Sequence, residues 1–290
     1  GSPHGGVFLD ISWIKERLPK VAEHIQKKLP SMYHQFKQLA DIDITKEPME
    51  VGPTTHYMMG GVQVDGDTQM STVPGLYAAG ECAAGLHGAN RLGGNSLSDL
   101  LVFGKRAGRY AACFAKEHRD GRIDQGQVGQ AAAAALAPFE RRASARRAAE
   151  RHNENEGPYQ IQQKLQETMQ DLVGIVRTEG EMKQALAEIE RLRERASRVA
   201  VEGNREYNNG WHTALDLPNL LTVSEAITRA ALEREESRGA HFREDRPSKS
   251  AEFGKFNIVI RKGSTGQMQV ARQPIPEMPP ELKQTIEEMK

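Results

Sequence analysis

The chain has 290 residues, with 39 basic against 39 acidic side chains and 38% apolar residues, enough for a buried core and, at roughly 100 to 200 residues per domain, for two folded units. Formal neutrality argues against a dedicated nucleic-acid surface, which needs an excess of Lys and Arg. Cys82 and Cys113 stand apart without CxxC or Cys/His spacing, which excludes a disulfide scaffold and a zinc ribbon, and no run of 18 apolar residues exists to cross a membrane.

In chain order, Val7 to Ile11 reads as a strand, and Ile14, Leu18, Val21 and Ile25 recur at helical spacing, predicting an amphipathic helix that ends near Leu29-Pro30. Residues 41 to 80, punctuated by Pro48, Pro53, Pro74 and several glycines, read as turn-rich structure with short strands. From Ser96 the pattern turns helical, with Leu97, Leu100, Leu101, Ala107 and Ala111 on one side. A domain boundary is expected between 117 and 157. Pro158 suits the first turn of a helix with the stripe Ile161, Leu165, Met169 and Leu172. Thr178 with Glu181 forms a capping-box pattern ahead of Met182, Leu186, Ile189, Leu192, Ala196 and Val199, with Gly203 closing that helix. A third helix is expected around Leu217 to Ser237, stopping before Gly239, with Tyr207 to Trp211 as a loop, and the set reads as an antiparallel bundle. Phe253 to Ile260 alternates like a strand, and Pro274 to Pro280 reads as an extended tail. Trp13, Trp211 and Cys82 read as packing residues.

The chemistry concentrates between Pro53 and Leu97. Glycines at Gly60 and Gly61, and again through Gly93-Gly94, suit backbone that a flat ligand must touch. Glu81 follows a short apolar strand and can accept hydrogen bonds from sugar-like hydroxyls, while Asn95-Ser96 opens a helix whose N–H groups favour electron-rich oxygen. His56 and Arg91 supply a donor and a permanent cation able to grip a carboxylate, Arg bidentately. Taken singly, a Gly-Glu is a turn and a histidine a structural group; the chemical reading rests on their falling within 45 residues.

The runs His56-Tyr57-Met58-Met59-Gly60-Gly61, Gly80-Glu81-Cys82 and His87-Gly88-Ala89-Asn90-Arg91-Leu92-Gly93-Gly94-Asn95-Ser96-Leu97 closely resemble the flavoprotein subunit of succinate dehydrogenase and fumarate reductase, as do Glu236-Ser237-Arg238-Gly239-Ala240-His241 and the Pro-rich end. The resemblance implies hydride transfer between succinate or fumarate and FAD, with electrons passed to an iron-sulfur subunit on membrane anchor subunits. By the same resemblance His56 and Arg91 bind the dicarboxylate, and Glu81, Ser96 and Leu97, with Gly60, Gly61 and Asn95, line the FAD site. It places the protein peripherally on the cytoplasmic side of a bacterial inner membrane, or on the matrix side of a mitochondrial one.

The family's GxGxxG fingerprint does not occur in these residues. The likeness is therefore to the C-terminal half of the subunit, with no tight FAD binding or turnover expected of this chain alone. The implied fold is α+β: the C-terminal part of a Rossmann-like flavin-binding domain, a helical bundle and a small C-terminal segment. The expected parts are the end of a capping domain over 1–47, the returning flavin domain over 48–116, the bundle over 117–245 and a tail segment over 246–290.

Three other readings compete. L-aspartate oxidase shares much of the glycine-rich block, but the long segment after Arg246-Pro247 favours the succinate/fumarate reading. A helical scaffold without catalysis would leave the block unused. The Arg141, Arg142, Arg146, Arg147, Arg151 run lacks interleaved aromatics, so nucleic acid is not expected as a partner. The histidines, His4, His24, His34, His87, His118, His152, His212 and His241 among them, show no metal spacing.

Overall fold

The computed structural model describes the chain apart from residues 1, 4, 12, 15–16, 53–55, 119–120, 122, 149–155 and 290, and gives the backbone alone for 142–148. Pro53, His4, His152 and Arg151, and the side chains of Arg142, Arg146 and Arg147, thus lie outside the described residues. The chain divides into two compact units, residues 1–56 and 57–290.

In the first unit, β1 (Val7–Leu9) leads to α1 (Val21–Lys28), α2 (Pro30–Leu39) and β2 (Met49–Val51). β2 pairs antiparallel with β1, setting Val7 opposite Val51 and Leu9 opposite Met49. Of the helix expected from Ile14, α1 accounts for the part from Val21; ahead of it the Leu18 N–H bonds the Ile14 carbonyl, and residues 15–16 lie outside the described residues. Pro19 and Lys20, the latter at a left-handed φ of 60°, separate that turn from α1. The expectation also stopped at Pro30, which instead opens a second helix as its first residue. Ile25, Ile44 and Met49 form the buried core, covered by Met32, Tyr33 and Phe36. Trp13, expected to pack, is 56% exposed, with the Arg17 guanidinium 5.5 Å above its ring.

The second unit opens with short bridges rather than full strands, Val62 with Ala83, Val64 with Ser71 and Met70 with Tyr77, and a single 3-10 turn at Gly80–Cys82. α3 (Asn95–Glu117) and α4 (Gln125–Ala148) follow, so most of the stretch expected to hold a boundary is helix. α5 (Pro158–Val173), β3 (Val176–Arg177), α6 (Glu179–Ala196) and α7 (Asn209–Glu233) come next, then β4 (Phe242–Arg243), β5 (Phe256–Lys262), β6 (Met268–Pro274) and α8 (Pro280–Glu288).

α5, α6 and α7 each pack on the other two, burying Ile161, Leu165, Ile189, Leu192, Leu217 and Leu221 around Val199. Thr178 caps α6 as its spacing predicted, accepting the Glu181 N–H and bonding the Glu181 carboxylate at 2.7 Å. Three boundaries differ from expectation. α6 ends at Ala196, short of Gly203. α7 starts eight residues before Leu217, because the Asn208 side chain accepts the Trp211 N–H at 2.9 Å and caps the helix there. Trp211 is therefore a first-turn residue and not a loop residue; it packs on Phe139 and donates its indole N–H to the Ala135 carbonyl of α4. At its other end α7 stops at Glu233, and Gly239 sits, at φ 60°, in the turn bridged by Arg238 and His241. β6, which the sequence pattern did not reveal, pairs antiparallel with β5 along its full length.

Beyond α7 the chain is organised by buried ions. Glu236, fully buried, accepts hydrogen bonds from Arg234, Arg238 and the Ser250 N–H, all at 2.8 Å. Burial works against its charge, but these donors outweigh it and hold the carboxyl at about 2. A depressed carboxylate stabilises the fold above its ordinary range and ceases to do so once protonated. Unfolding stability should thus fall by roughly 2 to 3 kcal/mol between about pH 4.5 and 2. Denaturant titrations across that window check this, and Glu236→Gln should flatten the slope.

Candidate functional site

Gly60 and Gly61 adopt φ values of 124° and 133°, which L side chains rarely reach. A Cβ on Gly61 would also overlap the Cys82 carbonyl oxygen. That carbonyl accepts the Val62 N–H at 2.8 Å, and the Val62 carbonyl accepts the Ala84 N–H at 2.9 Å. The glycine pair is thereby laced to the Gly80–Cys82 turn. Glu81, carried on that turn, accepts the Met58 N–H on Oε1 at 2.9 Å, so the acid and the glycine pair become neighbours.

Cys82, expected to be buried, is exposed. The small residues around it leave room at the surface instead of closing a core, and its thiol turns back to the Ala79 carbonyl at 3.4 Å.

α3 opens at Asn95 behind Gly94, whose left-handed φ of 82° sets the start, and no side chain caps it. A 23-residue helix thus presents uncapped N–H groups and the positive end of its dipole. Ser96 there is half-buried and Leu97 is 67% exposed.

Arg91 lies half-buried with its guanidinium carbon 4.5 Å above the Tyr57 ring. Nη1 donates to the Leu92 carbonyl at 3.2 Å, while Nε is buried with no hydrogen-bond partner. Behind the ring, the Tyr57 hydroxyl is 3.1 Å from His87 Nε2, which is 3.3 Å from Asp99 Oδ2. Burial, joined by the charges of Asp99 and Glu81, pushes the Tyr57 hydroxyl above its usual value, against the pull of Arg91.

Of the residues singled out by sequence, Gly60, Gly61, Glu81, Arg91, Asn95, Ser96 and Leu97 lie in the second unit, and His56 is the exposed last residue of the first. Tyr57, Asp99 and Ala89 were not singled out, and His87 was read only as a default histidine. The available signal was Tyr57 following His56 and His87 opening the HGAN run. The Ala89 carbonyl accepts the Ala240 N–H at 3.0 Å, and a Cβ on Gly239 would overlap that carbonyl, so the turn after α7 buttresses the Arg91 loop.

Among the described residues, no group of three or more His, Cys, Asp or Glu is gathered to hold a metal ion, and no helix is long and apolar enough to cross a membrane.

Residues 7–97 match the family model for the FAD binding domain, and residues 162–285 that for the fumarate reductase flavoprotein C-terminal region. The fumarate reductase flavoprotein subunit of Mycobacterium tuberculosis is 36% identical over 278 residues, 94% of this chain and 46% of that protein. The succinate dehydrogenase flavoprotein subunit of Coxiella burnetii is 35% identical over 283 residues, covering 93% of this chain and 46% of that one. The solved structure of Mycobacterium smegmatis Sdh1 in complex with UQ1 matches with a TM-score of 0.82 at 47% identity, over 99% of this chain and 46% of that one. The chain therefore spans less than half the length of these relatives. With flavoprotein relatives matched along more than nine-tenths of its length and both domain models represented, the chain belongs to the succinate dehydrogenase/fumarate reductase flavoprotein family.

Proposed function

We propose that this chain supplies the flavin- and dicarboxylate-facing C-terminal part of a subunit that moves a hydride between succinate or fumarate and FAD and passes electrons to a membrane-anchored iron-sulfur subunit. FAD, when bound, supplies the hydride-carrying ring. The observation that carries the reading is the junction of Glu81 with the Met58-to-Gly61 backbone beside bridged, open glycine geometry. Gly60 has open space where a Cβ would stand, which leaves room for a flat ring. In this reading Gly60 and Gly61 lie against the ring, Glu81 accepts from the cofactor's hydroxyls, and Asn95, Ser96 and Leu97 present the N-terminal end of α3 to its pyrimidine edge.

In the same reading Arg91 binds the dicarboxylate, a role the resemblance assigns to His56 as well. Fixing a carboxylate over the ring is worth up to roughly 7 to 11 kcal/mol in favourable cases, and a cation nearby stabilises charge developing on the substrate. The match to the fumarate reductase C-terminal region out to residue 285 supports this reading over an aspartate oxidase. The domain parts over 1–47, 48–116, 117–245 and 246–290 follow from it, the second being the Rossmann-like portion. So does inactivity of the chain alone, because no GxGxxG in it would hold the FAD pyrophosphate.

The test is a malonate titration of the FAD-loaded full-length protein, followed by the flavin absorbance band. Losing a charge-assisted pair of roughly 3 kcal/mol predicts an Arg91→Ala dissociation constant about 100-fold higher. An unchanged constant would end the dicarboxylate assignment of Arg91.

A further inference from the structure

A guanidinium is ordinarily held by a carboxylate, which occupies its donors and cancels its charge. Arg91 is held differently. Its guanidinium carbon lies 4.5 Å over the Tyr57 ring, and among the described residues its hydrogen bonding is confined to Nη1 and the Leu92 carbonyl. Of the two carboxylates whose charge reaches Tyr57, Glu81 accepts the Met58 N–H and Asp99 faces His87 Nε2.

The side chains of His87 and Asp99 are buried, 8% exposed for His87 and 5% for Asp99. His87 Nε2 is within hydrogen-bond reach of the Tyr57 hydroxyl at 3.1 Å and faces Asp99 Oδ2 at 3.3 Å, so one nitrogen links the tyrosine to the carboxylate. The two rings also meet edge to face, with centroids 5.4 Å apart. Tyr57 is thus fixed at its hydroxyl and along its edge, leaving one face for the guanidinium. Burying a His–Asp pair costs desolvation that a hydrophobic replacement would avoid, so its value here lies in orientation.

We propose that Tyr57, His87 and Asp99 act together as positioning residues for Arg91, holding its guanidinium on an aromatic face so that its outer donors and full charge remain available to a small dicarboxylate. This rests on the reading of Arg91 as a ligand of the dicarboxylate.

The experiment compares Tyr57→Leu, Tyr57→Phe, Asp99→Asn and Arg91→Ala in the FAD-loaded full-length protein. It measures the malonate dissociation constant by flavin absorbance, bound FAD per chain, and KM against kcat for succinate. Tyr57→Leu should raise the malonate constant about tenfold, the scale of a lost, partly desolvated cation–π contact. KM should rise in parallel and kcat should fall with the loosened cation, while FAD content stays within about twofold of the parent. Tyr57→Phe, which keeps the ring face, should restore binding to within about threefold of the parent. Asp99→Asn, nearly the same in shape, should raise the constant about threefold through the loosened His87. A Tyr57→Leu protein that binds malonate like the parent while Arg91→Ala has lost binding would overturn the proposal and spare the dicarboxylate reading. So would an Asp99→Asn protein with unaltered binding. If Arg91→Ala itself binds normally, the underlying reading fails.

Discussion

Arg243→Met is expected to lower the unfolding free energy by about 3 to 5 kcal/mol, the scale for breaking one side of a buried ion pair. The Arg243 side chain is fully buried and makes two parallel bonds to Asp245, Nε to Oδ1 and Nη2 to Oδ2, each 2.7 Å. Its Nη1 reaches the Leu232 carbonyl at 3.2 Å, in the last turn of α7, where carbonyls have no partner within the helix. Asp245 in turn accepts the Glu179 N–H at 3.1 Å, covering the first turn of α6. One guanidinium thus joins the end of one bundle helix to the start of another. Its bonds hold the Asp245 carboxyl well below the usual range against the effect of burial. Methionine keeps the length of the stem but strands the carboxylate and the helix-end carbonyl. Equilibrium denaturation measures the loss, and a change below about 1 kcal/mol would show that water replaces Arg243 at little cost.

Gly239→Ala should damage stability and the candidate site together. The left-handed backbone there costs an L residue about 1 to 2 kcal/mol, and the added methyl group would also overlap the Ala89 carbonyl oxygen, carbon and Cβ. Relief requires pushing the two loops apart, which breaks the Ala240 N–H bond to Ala89. Ala89 lies two residues before Arg91, so Arg91 should shift with it. A displacement near 1 Å at a positioned group is worth on the order of 100-fold in function. The expected result is a lowered thermal midpoint together with malonate binding weakened at least tenfold, measured at a temperature where the variant is folded. A variant that loses stability but binds malonate like the parent would show that the turn supports the bundle without supporting the site.

What the sequence made readable were features with a local cause. The α6 start was legible because Thr178 and Glu181 carry their own hydrogen-bonding logic, and the α3 start because glycine precedes Asn95-Ser96. Features set by partners far along the chain were not. The Gly239–Ala89 approach joins residues 150 positions apart, and no periodicity marks it. The Tyr57–His87–Asp99 set has no spacing rule, since buried polar groups are defined by what surrounds them. Trp211 was misplaced because Asn208 was read as loop composition and not as a cap. Trp13 was misplaced because an aromatic residue in sequence carries no sign of whether anything covers it.

The hydrogen bond from Ala240 to Ala89 also imposes an order on biosynthesis. A ribosome adding about 5 to 20 residues per second needs roughly 8 to 30 s to travel from one residue to the other. Through that interval the loop bearing Arg91 has emerged without its brace, and the nascent chain must keep it from pairing wrongly until the turn after α7 arrives.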